Sequence, residues 1–328
     1  MMSLLWSALE EFLIIPSKED YLSRRSNVSR IGALEYKRIV AIVGEKTWNK
    51  MIPQLHIERP EDALIRVAGF GNVLTRFVLA PLKLPAKEEH SIARLGTLAN
   101  LLVTVFDRLA DSGISLATLL PRWLLVVLSK NKGRMLLPVL NSIAPANTTA
   151  ITRMVQRYFS CLAEIARNSN RDSVYNLIRK YIIYMFDVEC MTISRSGNLQ
   201  EERILKEKAA LPFVILGMPG WLTEKCASKS DFQWHIKWLY QLGEFFGWID
   251  DFVDYNEDMK TGQSNRVIHA MKENECNFEW VLARRIAKLG HDVISEWSNR
   301  INGDNSKSTQ EAFSTCLISW LGGLSSIE

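Results

Sequence analysis

Apolar residues in this chain recur at helical spacing along almost its whole length. From Glu88 to Asp111, for example, they follow an i, i+3, i+4 rhythm that places them along one side of a helix. The two-residue alternation of a half-buried strand is nearly absent. Turn signals rich in Gly, Pro and Asn separate these segments. The pattern predicts an all-α protein of about ten helices.

Composition supports one large helical unit. The chain has 328 residues, and 47% of them are hydrophobic, which is ample material for a core. No internal repeat, low-complexity tract or long polar linker divides the helical segments. We therefore expect a single domain over residues 1–328.

Charge and cysteine usage exclude several classes of protein. The net charge is only +4, and no Lys/Arg run is interleaved with aromatics, so nucleic acid is not an expected partner. The five cysteines are widely spaced and form no CxxC pair, which favours reduced thiols and a cytoplasmic protein. A homodimer is compatible with the sequence.

Neither a signal peptide nor a membrane span is expected. The apolar N-terminus carries Glu10 and Glu11 and lacks a basic leading region and a small-residue cleavage site. The most apolar run, LATLLPRWLLVVL, is broken by Pro121 and Arg122.

The main candidate for chemistry is an acidic ladder at the end of a long apolar helix. Asp250, Asp254 and Asp258 stand at i, i+4 and i+8, and Asp251 lies beside them. Two like charges about 4 Å apart repel by roughly 4 kcal/mol at an effective dielectric near 20, and the negative end of the helix dipole adds to this. The ladder therefore indicates either a solvated helix end or a bound divalent cation.

Two features favour the cation. The run LGEFFGWI, which leads into the acids, is too apolar for a solvated surface. Gly243 and Gly247 fall on the face of Asp250, where missing side chains are expected to leave an open volume above the carboxylates. A structural helix would more often carry Ala or Leu there, since interior Gly costs about 1 kcal/mol relative to Ala.

A second acidic helix end occurs earlier in the chain. The segment FDRLADSG carries Asp107 and Asp111 four residues apart, and Ser112-Gly113 ends the helix. Acids at a helix C-terminus are unfavourable unless something positive binds them. A plain polar helix end is the alternative interpretation, and the later ladder is what favours a functional one.

These motifs together resemble those of the isoprenoid synthase superfamily. A GEFF-like run leading into DDxxD, with a further Asp four residues on, is similar to the second aspartate-rich region of trans-prenyl diphosphate synthases. The same spacing is similar to the second metal motif of class I terpene cyclases, with Asp250, Asp254 and Asp258 in the liganding places. The resemblance implies a helical bundle around a deep apolar cavity, with three Mg²⁺ ions gripping a substrate diphosphate.

Mg²⁺ suits these residues chemically. It prefers oxygen ligands, keeps several waters and shares substrate phosphate oxygens. Asp107, Asp111 and Asp251 complete the predicted ligand set, and no Cys or His spacing competes for the metal.

The resemblance also implies cations that hold the leaving diphosphate. Lys208 and Arg203, on a helix from Leu199 to Met218, are the main candidates, and they lie about 140° apart around it. Pro212 is expected to kink that helix and to leave the carbonyl of Lys208 without its helical partner. Further expected contacts are Lys260 and Arg266 to the diphosphate, and the rings of Phe106 and Trp248 to a carbocation.

Departures from prenyl synthases favour a cyclase. The first motif here has one leading Asp and no Arg-Arg-Gly, and an N-terminal Gly-Gly-Lys for isopentenyl diphosphate is missing. Without that acceptor the cation attacks its own chain. The residues one turn or more before Asp107, which are Val103, Leu102 and Ala99, include no Phe or Tyr and so predict room for a C20 to C25 substrate. The alternative is that they are plain core residues and that other helices set the depth of the cavity. The alternatives are a trans-prenyl diphosphate synthase with a divergent acceptor site and a non-catalytic helical protein.

Overall fold

The computed structural model describes residues 2–134, 145–192, 199–223, 228–262, 265–272, 278–301 and 306–321. Within these ranges the regular structure is helical, and no strand occurs in them. The prediction of an all-α fold is therefore confirmed.

The helices follow the segments expected from apolar spacing, although several begin or end a few residues away. In chain order they are α1 (Met2–Phe12), α2 (Lys18–Val43), α3 (Glu45–Met51), α4 (Pro60–Leu79), α5 (Ala86–Asp111), α6 (Leu116–Leu119), α7 (Arg122–Lys130), α8 (Ala146–Asn168), α9 (Asp172–Thr192), α10 (Leu199–Gly217), α11 (Lys229–Val253), α12 (Tyr255–Thr261), α13 (Arg266–Lys272), α14 (Phe278–Ile301) and α15 (Ser306–Trp320). Short 3₁₀ turns occupy Ile52–Leu55, Ala80–Leu82 and Met218–Leu222.

Two compact units can be distinguished along the chain. The first unit consists of Met1–Arg25, Asp187–Val214 and Lys229–Glu328, and the second of Ser26–Phe186 and Ile215–Ser228. The single domain over residues 1–328 stays a prediction.

In the second unit, α4 and α5 pack closely because each carries glycines on the contact face. A Cβ on Gly71 would lie 2.7 Å from the Cβ of Asn100, and one on Gly96 would collide with Thr75. The Asn100 side chain donates to the main-chain oxygen of Val67 at 2.9 Å. Glycine here allows close approach of two helix backbones, which compensates for its low helix propensity.

In the first unit, α11 is the central helix because its apolar stripe is completely buried. The stripe recurs every three or four residues and consists of Trp238, Leu239, Leu242, Phe245, Phe246, Ile249 and Phe252. Against α14, Trp238 donates its indole N–H to the main-chain oxygen of Val293 at 2.9 Å. Gly290 makes room there for the Phe245 ring, whose Cε2 would lie 2.6 Å from a Cβ at that position. This packing holds the polar end of α11 in a fixed place.

Among the described residues, one stretch, Pro60–Leu82, is long and apolar enough to cross a membrane by length and composition. Of its most apolar window, 56% is buried within the protein, as in the core helix of a globular protein. A single stretch of this kind is weak evidence for a membrane span.

Candidate functional site

The acidic ladder lies at the junction of α11 and α12. The sequence predicted one continuous helix through all three aspartates, but α11 ends at Val253 and Asp254 is a bend before α12. The helical rise nevertheless continues through the bend, because the amide of Asp254 donates to the oxygen of Asp250, and that of Asp258 to the oxygen of Asp254, both at 2.9 Å. Each aspartate thus lies about one helical turn after the preceding one, and Asp250 and Asp258 lie about two turns apart.

These aspartates differ in exposure. Asp250 is exposed and accepts a hydrogen bond from the indole nitrogen of Trp320 at 3.0 Å. Asp254 and Asp258 are half-buried. Trp320 stands 70 positions from Asp250, and no local sequence signal could have connected the two. Sequence reasoning therefore missed this contact.

Asp251 makes an ion pair instead of joining the ladder. Its carboxylate accepts from Nε of Arg266 at 2.5 Å, and the two side chains are 15% and 7% exposed. Burial raises the pKa of Asp251 to about 6, against the opposing effect of the Arg266 guanidinium. Asp251, predicted as a metal ligand, and Arg266, predicted as a diphosphate donor, therefore bind each other in this structure, and both predicted roles stay predictions.

Arg266 and α10 fill the space next to two glycines of α11. A Cβ on Gly247 would collide with Nη2 of Arg266 and with the side chain of Ala209. A Cβ on Gly243 would lie 2.5 Å from the Cα of Ala210. The prediction of an open volume above these glycines is wrong, because they serve close packing against α10 and Arg266.

The same arginine covers one face of a predicted cation-binding ring. Its guanidinium carbon lies 4.9 Å from the centroid of Trp248. A carbocation on that face would meet a positive charge, so the role predicted for Trp248 is restricted to the rest of its surface. Phe106, in the second unit, packs at 5.9 Å between centroids against Phe186.

Asn265 completes the acidic end, and sequence reasoning missed it. Its side chain is fully buried and donates to the main-chain oxygen of Asp251 at 2.6 Å and to Oδ2 of Asp258 at 2.8 Å. Its Oδ1 accepts from the amide of Ile268 at 3.1 Å, which caps α13. Asn is a preferred N-cap residue, so the sequence could have indicated the helix start here. It contains no signal for the bond to Asp258.

The metal prediction can be tested against the chemistry of these donors. In the part of the chain that the structure describes, no three His, Cys, Asp or Glu side chains group closely enough to hold a metal by themselves. Mg²⁺ usually binds through one or two carboxylates, waters and substrate phosphates and not in an all-protein cage. Asp250, Asp254 and Asp258 carry carboxylate oxygens, which are the donors that Mg²⁺ prefers, on successive turns, and the Mg²⁺ site stays a prediction.

The predicted diphosphate cations have different surroundings. Nζ of Lys208 lies 3.3 Å from Oε2 of Glu189, with the lysine 38% and the glutamate 13% exposed. Arg203 is exposed on α10, and Lys260 is exposed in the last turn of α12.

The proline predicted to kink α10 does not end that helix. The helix α10 continues through Pro212 to Gly217.

The second acidic end is simpler. The helix α5 ends at Asp111 as predicted, and Asp107 is half-buried four residues earlier. The side chain of Asp111 lies outside the described residues. Ser112 donates to the main-chain oxygens of Arg108 and Gln54, at 2.8 and 3.1 Å, and Gly113 has φ +81°. This is a capped helix end with a left-handed glycine, as the sequence indicated.

A cavity of about 200 Å³ occurs elsewhere in the first unit, and none of the predicted site residues line it. Small-molecule sites usually have about 300 to 1,000 Å³, so this cavity is small for a polyprenyl chain. Its walls are formed by Phe12, Leu13, Ile14, His291, Ile294, Ser295, Gln310, Phe313 and Ser314. The deep apolar cavity stays a prediction.

Comparison of the chain with models of known protein families found no match, and comparison with curated proteins found none either.

Proposed function

We propose that this chain is a Mg²⁺-dependent class I terpene cyclase. In this proposal its substrate is a linear all-trans polyprenyl diphosphate of C20 to C25. The allylic carbon–oxygen bond breaks, its electron pair leaves with diphosphate, and the carbocation is attacked by double bonds of its own chain. The final cation loses a proton, or is captured by water with loss of a proton, so the products are a cyclic hydrocarbon or alcohol and diphosphate.

One observation carries the proposal: three aspartates lie on successive turns at the polar end of a helix whose apolar stripe is fully buried. Asp254 follows Asp250, and Asp258 follows Asp254, through main-chain hydrogen bonds of 2.9 Å. Asp258 is further fixed by Asn265. An end that is merely solvated would need no buried side chain to orient a carboxylate, so this arrangement favours a cation-binding role.

The proposed roles follow from the donor types. Asp250, Asp254 and Asp258 would hold Mg²⁺, which when bound acts as a Lewis acid for the leaving diphosphate. Lys208, Arg203 and Lys260 are the candidate donors to the diphosphate oxygens. Asp107 and Asp111 enter the proposal as further carboxylates from the sequence motif alone.

A trans-prenyl diphosphate synthase is the second candidate, because the run LGEFFGWIDD is similar to the corresponding region of those enzymes. Such an enzyme would join the cation to isopentenyl diphosphate and so lengthen the chain. The missing Gly-Gly-Lys and Arg-Arg-Gly motifs make a cyclase the better-supported candidate.

A parallel incubation tests these functions. Purified protein with Mg²⁺ receives geranyl, farnesyl, geranylgeranyl or geranylfarnesyl diphosphate, with and without isopentenyl diphosphate. We expect diphosphate release and a cyclic hydrocarbon or alcohol in the hexane extract, identified by mass, from the longer substrates. EDTA should abolish both.

Each other outcome has a definite meaning. Longer prenyl diphosphates that form only when isopentenyl diphosphate is present would replace the cyclase with the synthase. If no substrate releases diphosphate above the EDTA control, the chain is a non-catalytic helical protein and the proposal is wrong.

A further inference from the structure

The helix α12 carries Asp258 but has no anchor of its own in the core. It is seven residues long, and none of its residues is buried. Isolated helices of this length are not stable in water. The position of the Asp258 carboxylate must therefore be fixed by contacts from outside α12.

Asn265 supplies such a contact with every polar atom of its side chain. One amide group donates to the main-chain oxygen at the end of α11 and to the carboxylate on α12, while its oxygen caps α13. The side chain is 0% exposed, so water does not compete for these bonds. Arg266, the next residue, anchors the same turn to α11 through its buried pair with Asp251.

We propose that Asn265 is a positioning residue that holds the Asp258 carboxylate in register with Asp250 and Asp254 for a divalent cation. This inference rests on the proposed function. A neutral amide suits the task, because it orients the carboxylate through Oδ2 without cancelling its charge. A lysine or arginine there would compete with the cation for the same group.

Two substitutions separate positioning from folding. Asn265→Asp has nearly the same shape and caps a helix as well as Asn, but it replaces both donors with an anion facing Asp258. Asn265→Ser also keeps a capping oxygen and adds no charge, but it is too short to bridge α11 and α12. The matched control is Asn72→Asp on α4, another buried asparagine, whose side-chain oxygen accepts from Arg76.

Three measurements are made on the full chain: Mn²⁺ titration by electron paramagnetic resonance with inorganic pyrophosphate, the Mg²⁺ concentration for half-maximal diphosphate release, and the Tm. For Asn265→Asp we expect Mn²⁺ affinity to fall at least about tenfold, as is typical when a residue that orients a metal ligand is lost. Asn265→Ser should show a smaller loss in the same direction. Asn72→Asp should bind Mn²⁺ like the wild type, whatever its Tm.

The outcomes distinguish this inference from the proposed function. The positioning role is overturned if both Asn265 variants bind Mn²⁺ with wild-type affinity, or if Asn72→Asp loses as much affinity as they do. In either case, diphosphate release by the wild type would still support the proposed enzyme. A wild type that binds Mn²⁺ but ionises no substrate overturns the enzyme, and the Asn265 series still decides the positioning role. A wild type that binds no Mn²⁺ overturns both.

Discussion

The two acidic helix ends of this protein have similar sequences but are held in place by different contacts. At α11 the chain returns after α12, and Asn265 and Arg266 bind the acidic segment from buried positions. At α5 the helix ends at Asp111 in an ordinary cap, and a Cβ on the following Gly113 would meet nothing within 4 Å. The α11 end is held by buried side chains from later in the chain, whereas the α5 end has a turn cap and a hydrogen bond from Ser112 to the main chain of Gln54.

This difference shows what a spacing motif can and cannot indicate. Acids four residues apart on an apolar helix identify a polar face in both cases. What holds each carboxylate depends on residues farther along the chain, whose spacing to the motif has no fixed rule. The spacing of the acids therefore does not show how rigidly their carboxylates are held. Substitutions at the two helix ends can measure that rigidity.

The largest effect is expected from Arg266→Ala. It leaves the buried Asp251 carboxylate without its partner, which typically costs about 3 to 5 kcal/mol. Urea unfolding should show this loss in the free energy of unfolding. At the other end, Arg108→Ala removes an exposed arginine from α5 and should change stability by less than about 0.5 kcal/mol. Equal losses in the two variants would contradict the comparison.

A double variant sharpens this test. Adding Asp251→Asn to Arg266→Ala removes the unpaired charge and should recover a large part of the loss. If the double variant is no more stable than Arg266→Ala, packing of the arginine on Trp248, and not the ion pair, is the main contribution.

The next effect concerns turnover. Asp250→Asn keeps the shape but removes a charge from the proposed Mg²⁺ site, so diphosphate release should fall at least about 100-fold. Asp107→Asn should have a similar effect if both acidic ends act on the substrate. The control is Asp292→Asn, an exposed aspartate on α14. Near-native turnover of a folded Asp250→Asn variant, verified by circular dichroism, would eliminate the metal assignment.

Prediction from the sequence succeeded where the determinants are local. The all-α fold follows from apolar periodicity, and the end of α5 from Ser112-Gly113. The break of α11 at Asp254 was missed, because nothing around that residue is a strong helix breaker. The open volume at Gly247 was a wrong inference, since a glycine signals close approach without saying which group approaches. Here it is Arg266, 19 positions later, by direct count in the sequence.

Substitutions of Gly243 on α11 and Gly113 after α5 compare two reasons for a glycine, which are close packing and a left-handed backbone conformation. A Cβ on Gly243 would lie 2.5 Å from the Cα of Ala210, so Gly243→Ala should destabilise by about 1 to 3 kcal/mol. Gly113→Ala meets no neighbour but must adopt φ +81°, which costs about 1 kcal/mol. Asn tolerates that conformation better, so Gly113→Asn should recover stability, whereas Gly243→Asn should be worse than Gly243→Ala. Thermal and urea unfolding give these values.

A smaller effect is expected at the candidate diphosphate cations. Lys208→Ala should lower diphosphate release by about tenfold, less than the loss of a fully desolvated donor, because the lysine is 38% exposed. Arg203→Ala should matter less, since Arg203 is more exposed. Neither change should alter the Tm greatly. Unchanged kinetics in both variants would leave Lys260 as the candidate, because Arg266 is paired with Asp251.

The smallest effect is expected at Val103 on α5, which is predicted to line the substrate cavity before Asp107. Val103 lies one turn before Asp107 on α5 and is half-buried, so it has room to vary without opening the core. If it lines the substrate chain, Val103→Phe shortens the available space and should shift the preference from C20 or C25 substrates toward farnesyl diphosphate, measured by competition between two substrates in one reaction. Val127→Phe, on the exposed side of α7, is the size-matched control. The wall assignment fails if the two variants have the same chain-length profile, or if the wild type accepts only C10 or C15 substrates.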